Sequence, residues 1–164
     1  MTLKNVDETI FQPLGLKLLN AEEDRESREY SGCSFTMNGL NIKFRTSKIT
    51  PTKTGQFVTI WKRNAQGETA PFDSDDPYDF YLISASKDKE KGIFIFPKEI
   101  LLKKGILSHE NKMGKRGIRV YPGWDLTENK QAKVTQKWQM EYFFDFSEGP
   151  ESHLRKANLL FDLK

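Results

Sequence analysis

Asn38-Gly39 sits between two runs that alternate apolar and polar residues, Tyr30–Met37 and Leu40–Arg45. A two-residue Asn-Gly loop supplies the positive backbone φ that a type I′ turn demands at both central positions, and that turn matches the twist of paired strands. The dipeptide therefore predicts an antiparallel hairpin and rules out an all-helical bundle. Gln56–Lys62 predicts a third strand, with Phe57, Thr59 and Trp61 on one side and Val58, Ile60 and Lys62 on the other. Phe80–Ser84 and Ile93–Phe96 are apolar on both faces, the pattern of central strands covered on both sides. Gly114–Tyr121 predicts a sixth strand, with basic residues leading in.

Helices frame these strands. Residues 1–27 read as helical, divided by Pro13 into two short helices, with Ala21–Arg28 as exposed turns. Pro97 opens a short helix over Lys98–Lys104 that Gly105 closes. After the Pro122-Gly123-Trp124-Asp125 turn, Asp125 or Thr127 is a candidate cap for a helix running to about Phe143. Residues 147–164 read as a polar link and a short amphipathic tail. At 164 residues with twelve Phe, the chain has material for one packed core. The expected fold class is α/β or α+β: a single domain with a mixed central sheet of five or six strands flanked by helices. It divides into a helical N-terminal region 1–29, a core 30–146 and a tail 147–164.

The formal net charge is only +3, but its distribution is uneven. Residues 40–67 hold six basic side chains and no acid, residues 68–86 hold five acids and no base, and residues 103–137 hold nine bases against three acids. Two basic blocks can make a positive face on a nearly neutral protein. Lys48–Arg63 combines four cations, two aromatics and a cluster of Thr hydroxyls, a mixture suited to phosphates and exposed bases. Lys48, Lys53, Lys62 and Arg63 are its candidate phosphate contacts, while Phe57 and Trp61 read as strand anchors in the core. Lys115, Arg116 and Arg119 form a second candidate track. There Arg119 and Tyr121 on one strand face offer a stacking plane, or a charged edge that discourages strand pairing. Trp124 is a candidate exposed ring. Lys130, Lys133 and Lys137 fall on one helical stripe. Gln136 and Gln139 flank Trp138, and Gln136, next to Lys137, faces either a strand of nucleic acid or solvent.

Other chemistries find less support. Cys33 is the single cysteine, so no intramolecular disulfide and no Cys/His zinc pattern is expected. With no signal-like or membrane-length apolar run, a cytoplasmic protein with no membrane partner is expected. Asp73, Asp75, Asp76 and Asp79 do not have the spacing of an EF-hand loop and read as a solvated turn. No cofactor and no metal site is expected.

Lys48-Ile-Thr-Pro-Thr-Lys, Gly55-Gln-Phe-Val-Thr, Trp61-Lys-Arg, Pro71-Phe-Asp, Phe96-Pro97, Gly114-Lys-Arg, Arg119-Val-Tyr-Pro, Trp124-Asp and Thr135-Gln-Lys-Trp-Gln resemble the MepB family, over about Tyr30 to Phe144. These are small bacterial proteins first named from a multidrug-efflux operon. The resemblance implies a restriction-endonuclease-like, PD-(D/E)XK core with a degraded active site and a nucleic-acid-binding role. That core runs helix, three strands, helix, strand, which places its strands at 56–62, 80–84, 93–96 and 117–121. Catalysis there needs an Asp near the start of the second strand, and an acid and a Lys two apart on the third, which hold Mg²⁺ and position water. Asp79 stands as a vestigial first acid, and Ile93-Phe94-Ile95-Phe96 leaves the other two positions apolar.

The expected function is nucleic-acid binding without catalysis. Single-stranded DNA or RNA is favoured over duplex, because rings interleave with cations and no recognition helix is evident. Two alternatives remain at this level. One is a metal-dependent nuclease that pairs Asp79 with Asp76, and the other a protein-interaction or stress-response module. The oligomeric state is left open.

Overall fold

The structure, a computed structural model, describes residues 1–25, 28–147 and 150–162, with Pro150 described by its backbone alone. The N-terminal α1 (Leu3–Val6) is capped by Thr2 and continues through a π turn, Asp7–Phe11, and a 3-10 turn, Gln12–Leu14, that starts beside Pro13. The expected helical region then ends early, because Leu18–Glu23 is a strand, β1. Its residues are nearly all exposed on a sheet edge, so no apolar alternation marks them. The Asn38-Gly39 turn is as expected. Both residues have positive φ, 52° and 76°, and they join β2 (Cys33–Met37) to β3 (Leu40–Thr46) with Met37 opposite Leu40.

Four short strands follow: β4 (Lys48–Ile49), β5 (Gln56–Thr59), β6 (Trp61–Arg63) and β7 (Thr69–Pro71). The single strand expected over 56–62 is thus divided at Ile60, and its halves belong to different sheets. Next come β8 (Phe80–Lys87), β9 (Glu90–Pro97), α2 (Lys98–Lys103) and β10 (Gly117–Val120). The expected long helix is shorter at both ends. α3 spans Lys130–Gln139, and Asn129, not Asp125 or Thr127, caps it by accepting from the Ala132 N–H at 2.8 Å. After a 3-10 turn, β11 (Phe143–Asp145) and α4 (Pro150–Leu160) complete the described chain.

The architecture is mixed α+β. Six strands form the main sheet in the order β1-β2-β3-β8-β9-β11, and only the β3–β8 pair is parallel. Alternate residues of the central strands enter two separate cores. Leu82, Ile93, Ile95 and Phe144 meet the N-terminal helical segment and α4 through Val6, Ile10, Phe11, Ala157 and Phe161. Tyr81, Ile83, Phe94, Phe96 and Phe143 meet α2 and the small sheet on the other face. This double coverage explains the unbroken apolar runs of β8 and β9. Among the described residues no helix is long and apolar enough to cross a membrane.

The order helix, three strands, helix, strand is not met as assigned from sequence: α1, β1, β2 and β3 are followed by the short strands β4–β7, not by a helix, before β8 pairs parallel to β3. The strands at 56–59 and 117–120 instead pair with each other in a three-stranded sheet, β10-β5-β4, outside the main one. In the main sheet the third strand is β3, and its central residues are Lys43-Phe44-Arg45.

Candidate nucleic-acid interface

The small sheet builds the surface that carries most of the expected basic residues. Register places Lys48, Phe57 and Arg119 side by side across β4, β5 and β10, so they share one face. Arg119 does not project as a stacking plane. Its guanidinium donates to the Thr54 carbonyl (3.2 and 3.1 Å), the Gly55 carbonyl (3.2 Å) and the Thr50 hydroxyl (2.9 Å). It thereby holds the turn over 50–55 against β10. Gly55 has φ 83° and lies under the Tyr121 ring, where an added Cβ would come within 2.7 Å of it. No other residue type suits both conditions.

Edge strand β10 is sealed by a side chain. The Gln139 amide accepts from the Tyr121 N–H at 2.8 Å and donates to the Arg119 carbonyl at 3.0 Å, as a neighbouring strand would. Gln136 donates to the Pro122 and Asp125 carbonyls at 3.0 and 2.9 Å. Both glutamines therefore stitch α3 to the 119–125 segment, so the Gln136 amide is engaged by the chain itself.

Two hollows flank this arrangement. One, of about 380 Å³, lies between β10 and α3. Lys104, Lys115 and Arg119 line it together with Tyr121 and Trp138, and no carboxylate does. The Lys104 ammonium stands 5.5 Å from the Trp138 ring centroid. The other hollow, of about 460 Å³, lies between the 50–55 turn and Trp124–Leu126, with Lys53 and Lys87 among its lining residues. Because Tyr121 lines the first, Gly55 lines the second, and the two residues touch, the hollows adjoin across the Tyr121 ring. Sequence reasoning missed Lys104, Lys87 and Trp138, which reach this surface from the residue that ends α2, from β8 and from α3. Their distances along the chain gave no local signal.

The expected contacts divide. Lys53 and Lys115 are exposed at the hollows, without an ion pair among the described residues. Lys48 is exposed but engaged, 3.6 Å from Glu29 and 4.9 Å above the Tyr30 ring. Lys62 is bound bidentately by Asp76 at 2.8 Å. Arg63 donates to the Gly67 carbonyl and lies over Trp61. Arg116 donates to the hydroxyl and carbonyl of Thr69. Lys62, Arg63 and Arg116 thus brace the β6–β7 hairpin. Lys130, Lys133 and Lys137 are solvated, but at 100° per residue their stripe is nearly opposite the Gln131, Thr135, Trp138 and Gln139 face that lines the first hollow. Trp124 folds back, with its ring 5.5 Å from that of Phe143. Phe57 and Trp61 are only half-buried; Val58 and Ile60 are the core side of that segment.

Asp79 is also a structural residue. Its carboxylate accepts from the Asn41 N–H at 2.8 Å, and its own N–H donates to the Asn41 carbonyl, which ties the start of β3 to the start of β8. Asp76 holds Lys62 and accepts from the Asp73 N–H.

The middle of β3 carries two cations. Lys43 donates to both oxygens of Asp24 at 2.8 and 2.9 Å, and Arg45 donates to the same carboxylate at 2.5 Å. Their side chains are only 7%, 3% and 9% exposed for Lys43, Arg45 and Asp24. Phe72 and Tyr78 cover the cations, with Lys43 Nζ 4.9 Å from the Tyr78 centroid and Arg45 5.8 Å from that of Phe72. Next to β3, β2 opens on Cys33-Ser34. Burial raises the ionisation of Cys33 to about 11 and pushes the Tyr81 hydroxyl well above its ordinary range.

Fold and site together define a mixed α+β protein with a six-stranded sheet and a smaller sheet that presents a basic, ring-lined surface. The MepB-like family model matches residues 24–145, and the chain belongs to that family. The crystal structure of MepB is similar over 91% of this chain and 100% of that one, with 30% identity and a TM-score of 0.80. A bacterial homing endonuclease is similar over 85% of this chain and 93% of its own, with 14% identity and a TM-score of 0.45. No curated protein matches the chain.

Proposed function

We propose that this MepB-like protein binds single-stranded nucleic acid, DNA or RNA, in the cytoplasm, through the two hollows beside Tyr121, and does not cleave it. The observation that carries this reading is the hollow between β10 and α3. There Lys104, Lys115 and Arg119 meet Tyr121 and Trp138 with no carboxylate in the lining. Cations beside ring faces are what a sequence-tolerant single-strand site requires: charge for the backbone and a flat surface for bases. A duplex has its bases stacked inside and cannot use the rings.

What supports the non-cleaving part of this reading is β3. With β3 taken as the third strand of a nuclease-like core, Lys43 and Arg45 stand where an acid and a Lys are needed, and neither supplies the oxygen ligand that Mg²⁺ requires.

The test is fluorescence anisotropy with labelled single-stranded DNA, RNA and duplex at several salt concentrations, with and without Mg²⁺. Each phosphate contact contributes roughly 0.7 logarithmic units of affinity per decade of salt on a single strand. Removing Lys104 and Lys115 together is expected to lower that slope by about 1.4. A salt-independent affinity, or a preference for duplex, overturns the binding reading. Cleavage in Mg²⁺ that tracks the protein through purification overturns the non-catalytic one.

A further inference from the structure

The second hollow carries features that contact with a phosphate backbone does not require. Two of its lining side chains are large, apolar and bare: Ile49 is 55% exposed and Leu126 is 85% exposed. Single exposed apolar side chains are ordinary. Here one from β4 and one from the loop before α3 line the same hollow. Lys53 and Lys87 line it with them, as do Thr52 and Thr54. Asp125 completes it. Its carboxyl is almost wholly buried and lies 3.7 Å from the Lys87 ammonium. Burial raises its ionisation, and Lys87 is the main opposing influence.

A nucleotide has the same division of chemistry. The base presents two apolar faces and a polar edge, and the phosphate is anionic. We propose that this hollow is a subsite for one nucleotide of the bound strand, with its base against Ile49 and Leu126, its phosphate on Lys53 and Lys87, and its edge on Asp125. The volume of about 460 Å³ accommodates one such unit. This inference rests on the nucleic-acid reading above and adds base selectivity to it. An ionised carboxylate only accepts hydrogen bonds. Guanine presents two adjacent N–H donors to it. Thymine and uracil flank their one N–H with two carbonyls, which the carboxylate repels. The subsite therefore prefers guanine over thymine or uracil. The turn that supplies Lys53 is held by Arg119, so the site is formed before the ligand arrives.

The experiment compares two labelled twelve-nucleotide strands by anisotropy, one all thymidine and one with a single central guanosine. The wild-type protein is expected to bind the guanosine strand roughly 5- to 160-fold more tightly, the discrimination of one bidentate pair. Leu126→Ala, a change at a solvated position that leaves folding intact, weakens binding to the guanosine strand. Asp125→Asn brings the two affinities together. Lys115→Ala, in the neighbouring hollow, weakens both strands equally and preserves the ratio. Equal wild-type affinities, or a guanosine advantage that survives both Leu126→Ala and Asp125→Asn, overturn the subsite while leaving the binding reading standing. If neither strand binds, both readings are overturned.

Discussion

Replacing Asp24 by Asn removes the one carboxylate that Lys43 and Arg45 touch among the described residues. The side chain keeps its size but loses its charge, and two buried cations are left without a counter-ion. The structure sets the scale. Three charge-assisted hydrogen bonds are weakened or lost, each of the kind that contributes about 1.5–3 kcal/mol. Part of this gross loss is returned. The amide oxygen still accepts one bond, and Phe72 and Tyr78 keep their faces toward the cations, contacts of roughly 1–2 kcal/mol where water is excluded. The net cost is expected near the value for breaking a buried pair, about 3–5 kcal/mol.

For a domain of this length each kcal/mol moves the midpoint by roughly 2–4 °C, so the melting temperature is expected to fall by roughly 6–20 °C. Urea titration at pH 7 measures the free energy directly. The companion variant replaces all three residues with apolar ones: Asp24→Leu, Lys43→Met and Arg45→Met. It is expected to be much closer to wild type than Asp24→Asn, because desolvating the ions costs nearly as much as pairing them returns. Asp24→Asn within about 1 kcal/mol of wild type, the range of a surface pair, would refute the reasoning, since the cations would then be compensated elsewhere.

Changing Lys130, Lys133 and Lys137 together to Ala is expected to leave single-strand affinity within about two-fold at 0.15 M salt, where screening weakens their influence on the opposite face of α3; anisotropy measures this. Cys33 is expected to react slowly with a thiol reagent at pH 8 in the folded protein and rapidly once unfolded. Its ionisation at about 11 leaves roughly one thiolate in a thousand at that pH, and the sulfur is buried. Asp125 has a raised ionisation in the folded state relative to an ordinary value of 3.8. The native protein therefore holds that proton longer than the unfolded chain does. Its contribution to stability is fully present below 3.8 and declines as pH rises through the raised value. The stability of wild type minus that of Asp125→Asn, measured by urea melts from pH 3 upward, is expected to fall across that window and flatten above it.

What the sequence disclosed and what it concealed follow from the range over which each feature is determined. The Asn38-Gly39 hairpin is a local device: two positive φ values and alternating flanks suffice, and both lie within a dozen residues. β8 and β9 were legible because burial on both faces leaves an apolar mark at every position. β1 left no mark, since an exposed edge strand can be Leu-Leu-Asn-Ala-Glu-Glu as easily as a turn can. The basic residues were recognised as a set but not sorted. Whether Lys62 meets a ligand or Asp76, and whether Arg119 stacks or clamps the 50–55 turn, depends on partners 14 and 65 residues away. β3 shows the limit most sharply. Ile42-Lys43-Phe44-Arg45 alternates as a half-exposed strand should, and its cations read as the wet face. They are buried because residues 47–79 fold back over that face and bring Phe72 and Tyr78 onto it, while Asp24 approaches from the end of β1. No window around Lys43 contains either fact. A charged residue in an alternating strand therefore reports which face it shares with its neighbours. Whether that face meets water is decided by the rest of the chain.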